Sequence, residues 1–228
     1  RTDGAELVLK GITGPTVYRK SFRELVEEHF LAKPRVRMIH VKAGGGANLR
    51  DAKMETRKQL YTNPAVCRQA ARVVAKMVNE LGRQVVILVE EFRQFSALKN
   101  HLTVPFTFVH GGASQDAKEF LEPEYHDCDI DAAVKDFNDG KIRCLIGTSA
   151  ISTGVDLQPV GCLVYLQGGL SEIKVRQAIG RGTRLVPGKQ DFFVVDFIVD
   201  GSDAMERHGN ARMEIYRDMT DDIAEVAA

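Results

Sequence analysis

The chain has 228 residues, 44% hydrophobic and 27% charged, enough to bury one good core and too apolar for a disordered segment. Its 31 Lys plus Arg balance 31 Asp plus Glu, which excludes a globally basic binder of nucleic acid or membrane and confines any such contact to a local patch. No apolar run reaches the roughly 20 residues of a membrane span, and Cys67, Cys128, Cys144 and Cys162 lack metal-site spacing, so a cytoplasmic protein with reduced thiols, no metal ligands and no membrane contact is expected.

The opening Arg1-Thr2-Asp3-Gly4 has neither a signal peptide's regions nor an initiator methionine, which points to a fragment. Residues 1–60 read as a connector plus the start of the domain: Gly4, Gly11, Gly14 and Pro15 interrupt them before a helix expected from Ser21 to Phe30. A strand follows at Val36 to Val41, and Gly44-Gly45-Gly46 after it reads as a flexible loop, because no G-x-G-x-x-G pattern continues from it. Pro64 to Leu81 carries a long helix with proline near its start. Further β-branched runs lie at Val85 to Val89, Phe106 to Val109, Cys144 to Ile146, Leu163 to Leu166 and Phe192 to Val195, with helices at Asp129 to Asp139 and Glu172 to Leu185. The alternation predicts an α/β domain over 61–200, a mainly parallel sheet with helices on both faces. In the tail, 201–228, His208, Arg212 and Tyr216 stand four apart and predict a helix packed on the rim of the sheet.

Three segments carry chemistry. Gln177, Arg181 and Arg184 are spaced to share one helical stripe, an amide and two guanidiniums without an intervening carboxylate, and such a stripe wants an anion. Gly180 and Gly182 each cost about 1 kcal/mol inside a helix, which implies close backbone approach beside those arginines. Thr148 to Asp156, following the strand at Cys144, offers hydroxyls, Gly154 and a carboxylate where parallel sheets bind ligands; Asp156 suits a ribose hydroxyl, or else a helix cap. His110-Gly111 lies just past another strand, where exposed amides suit a phosphate, although such a pair also makes an ordinary turn.

In this order and spacing the segments resemble the second RecA-like (P-loop NTPase-type) lobe of superfamily 2 helicases and translocases. Val85 to Glu90 is similar to motif IV, Thr148 to Asp156 to motif V, and Gln177 to Arg184 to motif VI, Q-x-x-G-R-x-x-R; Arg1 to Gly4 resembles the chain that follows motif III. The resemblance implies that Arg184 is an arginine finger with Arg181 beside it and Gln177 positioning both. It implies nucleotide contacts at Gly154, Asp156 and Gly180, and nucleic-acid contacts at His110, Gly111 and Thr148. The implied substrate is ATP with Mg2+, whose ligands would sit in a first lobe, since no G-x-x-x-x-G-K-[ST] occurs here; the implied partners are that lobe and nucleic acid. Arg176-Gln177 replaces the His-Arg of DEAD-box proteins, which favours DNA over RNA. Two other readings compete: a serine hydrolase built from Ser149, Asp196 and His208, in which Ile151 replaces a required glycine, and a RecA-like interaction lobe without catalysis.

Overall fold

The computed structural model describes residues 11–112, 118–152 and 155–228. Seven strands form one sheet: β1 (Lys33–Lys42), β2 (Gln84–Leu88), β3 (Thr107–Val109), β4 (Cys144–Gly147), β5 (Val160–Tyr165), β6 (Asp191–Asp200) and β7 (Ile223–Ala227). Their order is β3-β4-β2-β5-β6-β1-β7, and every pairing is parallel. Helix α1 (Phe22–Glu27) leads into β1; parallel neighbours need crossover connections, and these are helices α2 (Ala52–Thr56), α3 (Pro64–Ala75), α4 (Phe92–Lys99), α5 (Ile130–Asn138), α6 (Ser149–Ser152), α7 (Glu172–Gly182) and α8 (Asp203–Arg217).

Two cores result from the alternation of strand side chains. Val85, Ile87 and Val89 face Val66, Ala70, Val74, Phe95 and Leu98 on one side, while Val86 and Leu88 face Ala133, Phe137, Val175 and Ile179 on the other. The three-layer expectation holds. Helix starts are chemically marked: Asn63 caps α3 ahead of Pro64, Asp129 caps α5, Ser171 caps α7, and Ser21 forms a capping box with Glu24 on α1.

The structure departs from the sequence reading in four places. Helix α7 stops at Gly182 rather than Leu185: the glycines weaken it, Thr183 turns its hydroxyl back to the Gly180 carbonyl at 2.9 Å, and a Cβ on residue 182 would stand 2.2 Å from the Phe192 ring. Arg184 therefore lies beyond the helix, not on its stripe. The tail ends in a strand, β7, which extends the sheet beside β1. Asp196, expected at a strand end, is fully buried in the middle of β6, where Arg212 of α8 holds it by two bonds of 2.7 and 2.9 Å.

The fourth is the glycine loop, which is braced rather than loose. Gly44 and the Gln59 amide bond each other, and the buried Glu55 carboxylate accepts from Asn48 N at 2.9 Å, Leu49 N at 3.1 Å and the Ser202 hydroxyl.

Candidate functional site

Because all strands run parallel, the loops after β1, β2, β3, β4 and β5 gather at one carboxyl edge, the place where open α/β sheets bind ligands. Beyond β2, Glu91 holds Arg57 at 2.8 Å and Glu90 takes Lys174 of α7 at 3.1 Å. These pairs tie α2 and α7 to the end of the strand resembling motif IV.

The segments after β3 and β4 meet directly, Thr148 N donating to Val109 O at 3.3 Å. Thr148 is half-buried and Gly111 exposed, so both reach the surface at this edge. The His110 side chain does not, being only 4% exposed. Its Nδ1 accepts from Gly112 N at 3.2 Å and its Nε2 faces the Tyr125 carbonyl at 2.9 Å, bonds that suit the Nε2–H tautomer. Phe92 packs edge-on against the ring, and Cys128 exchanges hydrogen bonds with the His110 backbone.

Motifs V and VI converge on one dipeptide. Arg181 donates to the Val155 carbonyl, and Arg184 forms an ion pair with Asp156, both side chains about half exposed. The other Asp156 oxygen accepts from Gln158 at 3.1 Å, and its carbonyl from Asn138 of α5 at 2.8 Å. The structure thus brings together Arg181, Arg184 and Asp156. Gln177 and Gly180 lie exposed on α7 beside them, and a Cβ on residue 180 would meet nothing within 4 Å. Gly154 and the opening Arg1 to Gly4 lie outside the described residues. Arg176, next to Gln177, is committed elsewhere: it bonds Glu172 at 2.7 Å and Asp218 at 2.9 Å, fastening α7 to the end of α8.

Sequence reasoning missed the buried group behind this site. Asp196, Arg212 and Tyr216 form a closed set, with Tyr216 donating to Asp196 at 2.6 Å and Arg212 reaching the Gly169 carbonyl at 3.1 Å, just ahead of α7. The four-residue spacing of Arg212 and Tyr216 was the only available signal. Both Asp196 oxygens are taken, none by His208, so the Ser149-Asp196-His208 relay is not formed. Among the described residues no cluster of three His, Cys, Asp or Glu could hold a metal ion, and no helix is long and apolar enough to cross a membrane.

A parallel three-layer sheet with hydroxyl and glycine loops at its carboxyl edge, and two arginines joined to a strand-following loop, defines a RecA-like lobe. The helicase conserved C-terminal domain profile matches residues 69–186, just over half of the chain. The chain belongs to that family of helicase C-terminal domains, and its fold is that of a RecA-like lobe. It is 23% identical over 186 residues to irc3 of Schizosaccharomyces pombe, a protein assigned as a mitochondrial ATP-dependent helicase, covering 79% of this chain and 28% of that one. Among solved structures it resembles a fragment of a protein assigned as the HsdR subunit of a type I restriction enzyme from Vibrio vulnificus, with TM-score 0.64, 18% identity and 100% and 42% coverage. It also resembles S. cerevisiae Dbp5 bound to RNA and ADP BeF3, with TM-score 0.58, 14% identity and 99% and 48% coverage. The chain thus spans less than half the length of each of these relatives.

Proposed function

We propose that this domain is the second lobe of an ATP-driven DNA helicase or translocase, and that Arg184 is its arginine finger. The observation that carries this reading is the convergence of Arg181 and Arg184 on Val155-Asp156. With both partners about half exposed, the Arg184–Asp156 pair is worth at most about 1 kcal/mol. A triphosphate held by the first lobe would therefore draw Arg184 away at little cost.

At the γ-phosphate, Arg184 would stabilise charge on the phosphoryl group in flight, with Arg181 beside it and Gln177 fixing their approach; such a finger contributes roughly 10³–10⁵ in rate. Gly180 leaves the helix surface bare for nucleotide approach, Asp156 becomes free to accept a ribose hydroxyl, and Gly154 completes that wall. Thr148 and Gly111 contact the strand's phosphates, while His110 acts by holding the turn that presents Gly111. The Mg2+ ligands would sit in the first lobe, since the sequence here carries no G-x-x-x-x-G-K-[ST]. Isolated, the domain hydrolyses no ATP and binds nucleic acid weakly. The division into connector 1–60, lobe 61–200 and tail 201–228 is part of this proposal, with β1 and β7 contributing strands to the lobe's sheet. Four unpaired cysteines support a reducing, cytoplasmic setting, and Arg176-Gln177 supports DNA as the track.

The test is ATP turnover by the full-length protein with single-stranded DNA, duplex DNA and RNA, beside Arg184→Ala. Polymer-stimulated turnover that falls at least about 10³-fold in the variant, with nucleotide binding spared, is the expected result. Unchanged turnover overturns the finger assignment, and turnover indifferent to every polymer overturns the motor.

A further inference from the structure

The glycine loop after β1 has no part in motifs IV to VI, yet it is held by unusually expensive means. Glu55, Gln59 and Ser202 are each 0% exposed, and burying a carboxylate costs several kcal/mol unless hydrogen bonds compensate it. Glu55 is compensated by two loop amides and the Ser202 hydroxyl, which keep its carboxyl below the usual range against the opposing effect of burial. Asn48 is locked as well, at φ 63 with its side chain accepting from Asp203 N at 2.8 Å. A loop that only joined β1 to α2 would need none of this.

What the brace presents is a bare, positive tip. Gly45, Gly46 and Ala47 carry no side chain beyond a methyl, and the Lys58 ammonium stands so close that a Cβ on residue 46 would lie 2.6 Å from it. Between residues 42 and 58 five cations face two carboxylates, an excess that a chain of zero net charge places here locally. Of the carboxylates, Glu55 is enclosed and Asp51 caps α2; of the cations, only Arg57 enters an ion pair among the described residues, with Glu91. Lys42, Arg50, Lys53 and Lys58 are exposed. The loop shares the carboxyl edge with Thr148, four strands away in the sheet order, or about 19 Å at about 4.8 Å per strand.

We propose that the loop 43–50, with Lys42, Arg50, Lys53 and Lys58, is a second contact for the sugar-phosphate backbone of a nucleic-acid strand, extending the track beyond motifs IV and V. This rests on the helicase reading above. Bare glycine backbone admits the polymer closely, and separate lysine and arginine cations match phosphates without reading bases. Three carboxylates flank the loop: Asp200 holds His40, Glu206 accepts from Gly201 N, and the exposed Asp203 bonds Asn48 through its backbone N.

The experiment measures binding of labelled homopolymeric DNA and RNA strands to the full-length protein over a range of salt, for wild type and K42Q/R50Q/K53Q/K58Q. Thermal unfolding verifies that the surface variant is folded. Each lost phosphate contact on a single strand should lower the slope of log affinity against log salt by about 0.7. We expect the slope to fall by about 2 to 3, the strand concentration for half-maximal ATPase to rise at least tenfold, and kcat at saturating strand to hold. An unchanged slope with wild-type binding intact overturns this inference alone, as does a loss of kcat without a change in slope, which would place the loop against the first lobe. A wild-type protein that binds neither strand overturns the helicase reading and this inference together.

Discussion

Replacing Arg212 by methionine keeps much of its volume and removes its charge, which isolates the electrostatic part of the buried group. Arg212 and Asp196 side chains are 2% and 1% exposed, so the variant leaves a carboxylate inside the protein with the Tyr216 hydroxyl as its remaining side-chain donor. Breaking a buried pair on one side costs about 3–5 kcal/mol, against a domain stability of about 5–15 kcal/mol. At about 2–4 °C per kcal/mol for a chain of this size, unfolding followed by circular dichroism should fall by about 6–20 °C. The double variant Arg212→Met with Asp196→Leu removes both charges and should recover most of the loss. A single variant within about 1 kcal/mol of wild type, or a double variant no better than the single, would refute the claim that charge isolation sets the cost.

Other perturbations have outcomes equally fixed by geometry. Gly180→Ala meets no atom within 4 Å and should stabilise α7 by up to about 1 kcal/mol while reducing ATP turnover of the full-length protein; unreduced turnover would remove Gly180 from the nucleotide's path. Gly182→Ala drives a methyl to 2.2 Å from the Phe192 ring and should cost about 1–3 kcal/mol, read by urea unfolding. His40 bonds Asp200 and Glu225 at 2.8 Å, and the Asp200 bond, more than the Glu225 one, raises its pKa above 6.5 against desolvation. Its contribution is full below pH 6.5 and fades as pH rises through the raised value, so amide protection in β7, taken relative to the intrinsic exchange rate at each pH, should fall over that window in wild type and not in His40→Gln.

The layers and the motif loops were legible because they depend on local periodicity and on residue types fixed at short spacing. β2 and β4, α3 and α5 lie within a residue or two of their expected places for that reason, apart from the turns 76–80 that prolong α3. What escaped depends on non-local packing. Nothing local in Asp196 announces that a guanidinium sixteen positions later will neutralise it, and nothing in Ile223–Ala227 announces an edge strand until β1 is available to pair with it. Gly182 reads as a site for an external ligand until Phe192 is seen to fill the space, whereas Gly180, identical on paper, keeps that reading.

The same contrast explains how Arg184, in the proposed role of finger, would be both held and available. Two anchors locate α7 from behind, Arg212 on the Gly169 carbonyl and Arg176 on Asp218, while Lys174 on Glu90 locates it from the side. The rigid helix then ends early, at Gly182, where its own glycines weaken it. Arg184 is therefore carried on a fixed base but released from the helical lattice, and its resting partner Asp156 is exposed enough to let it go. An arginine inside α7 would have been aimed by the helix alone; one just past its end, in the proposed role, would swing from Asp156 to a phosphate without disturbing the core that sets its position.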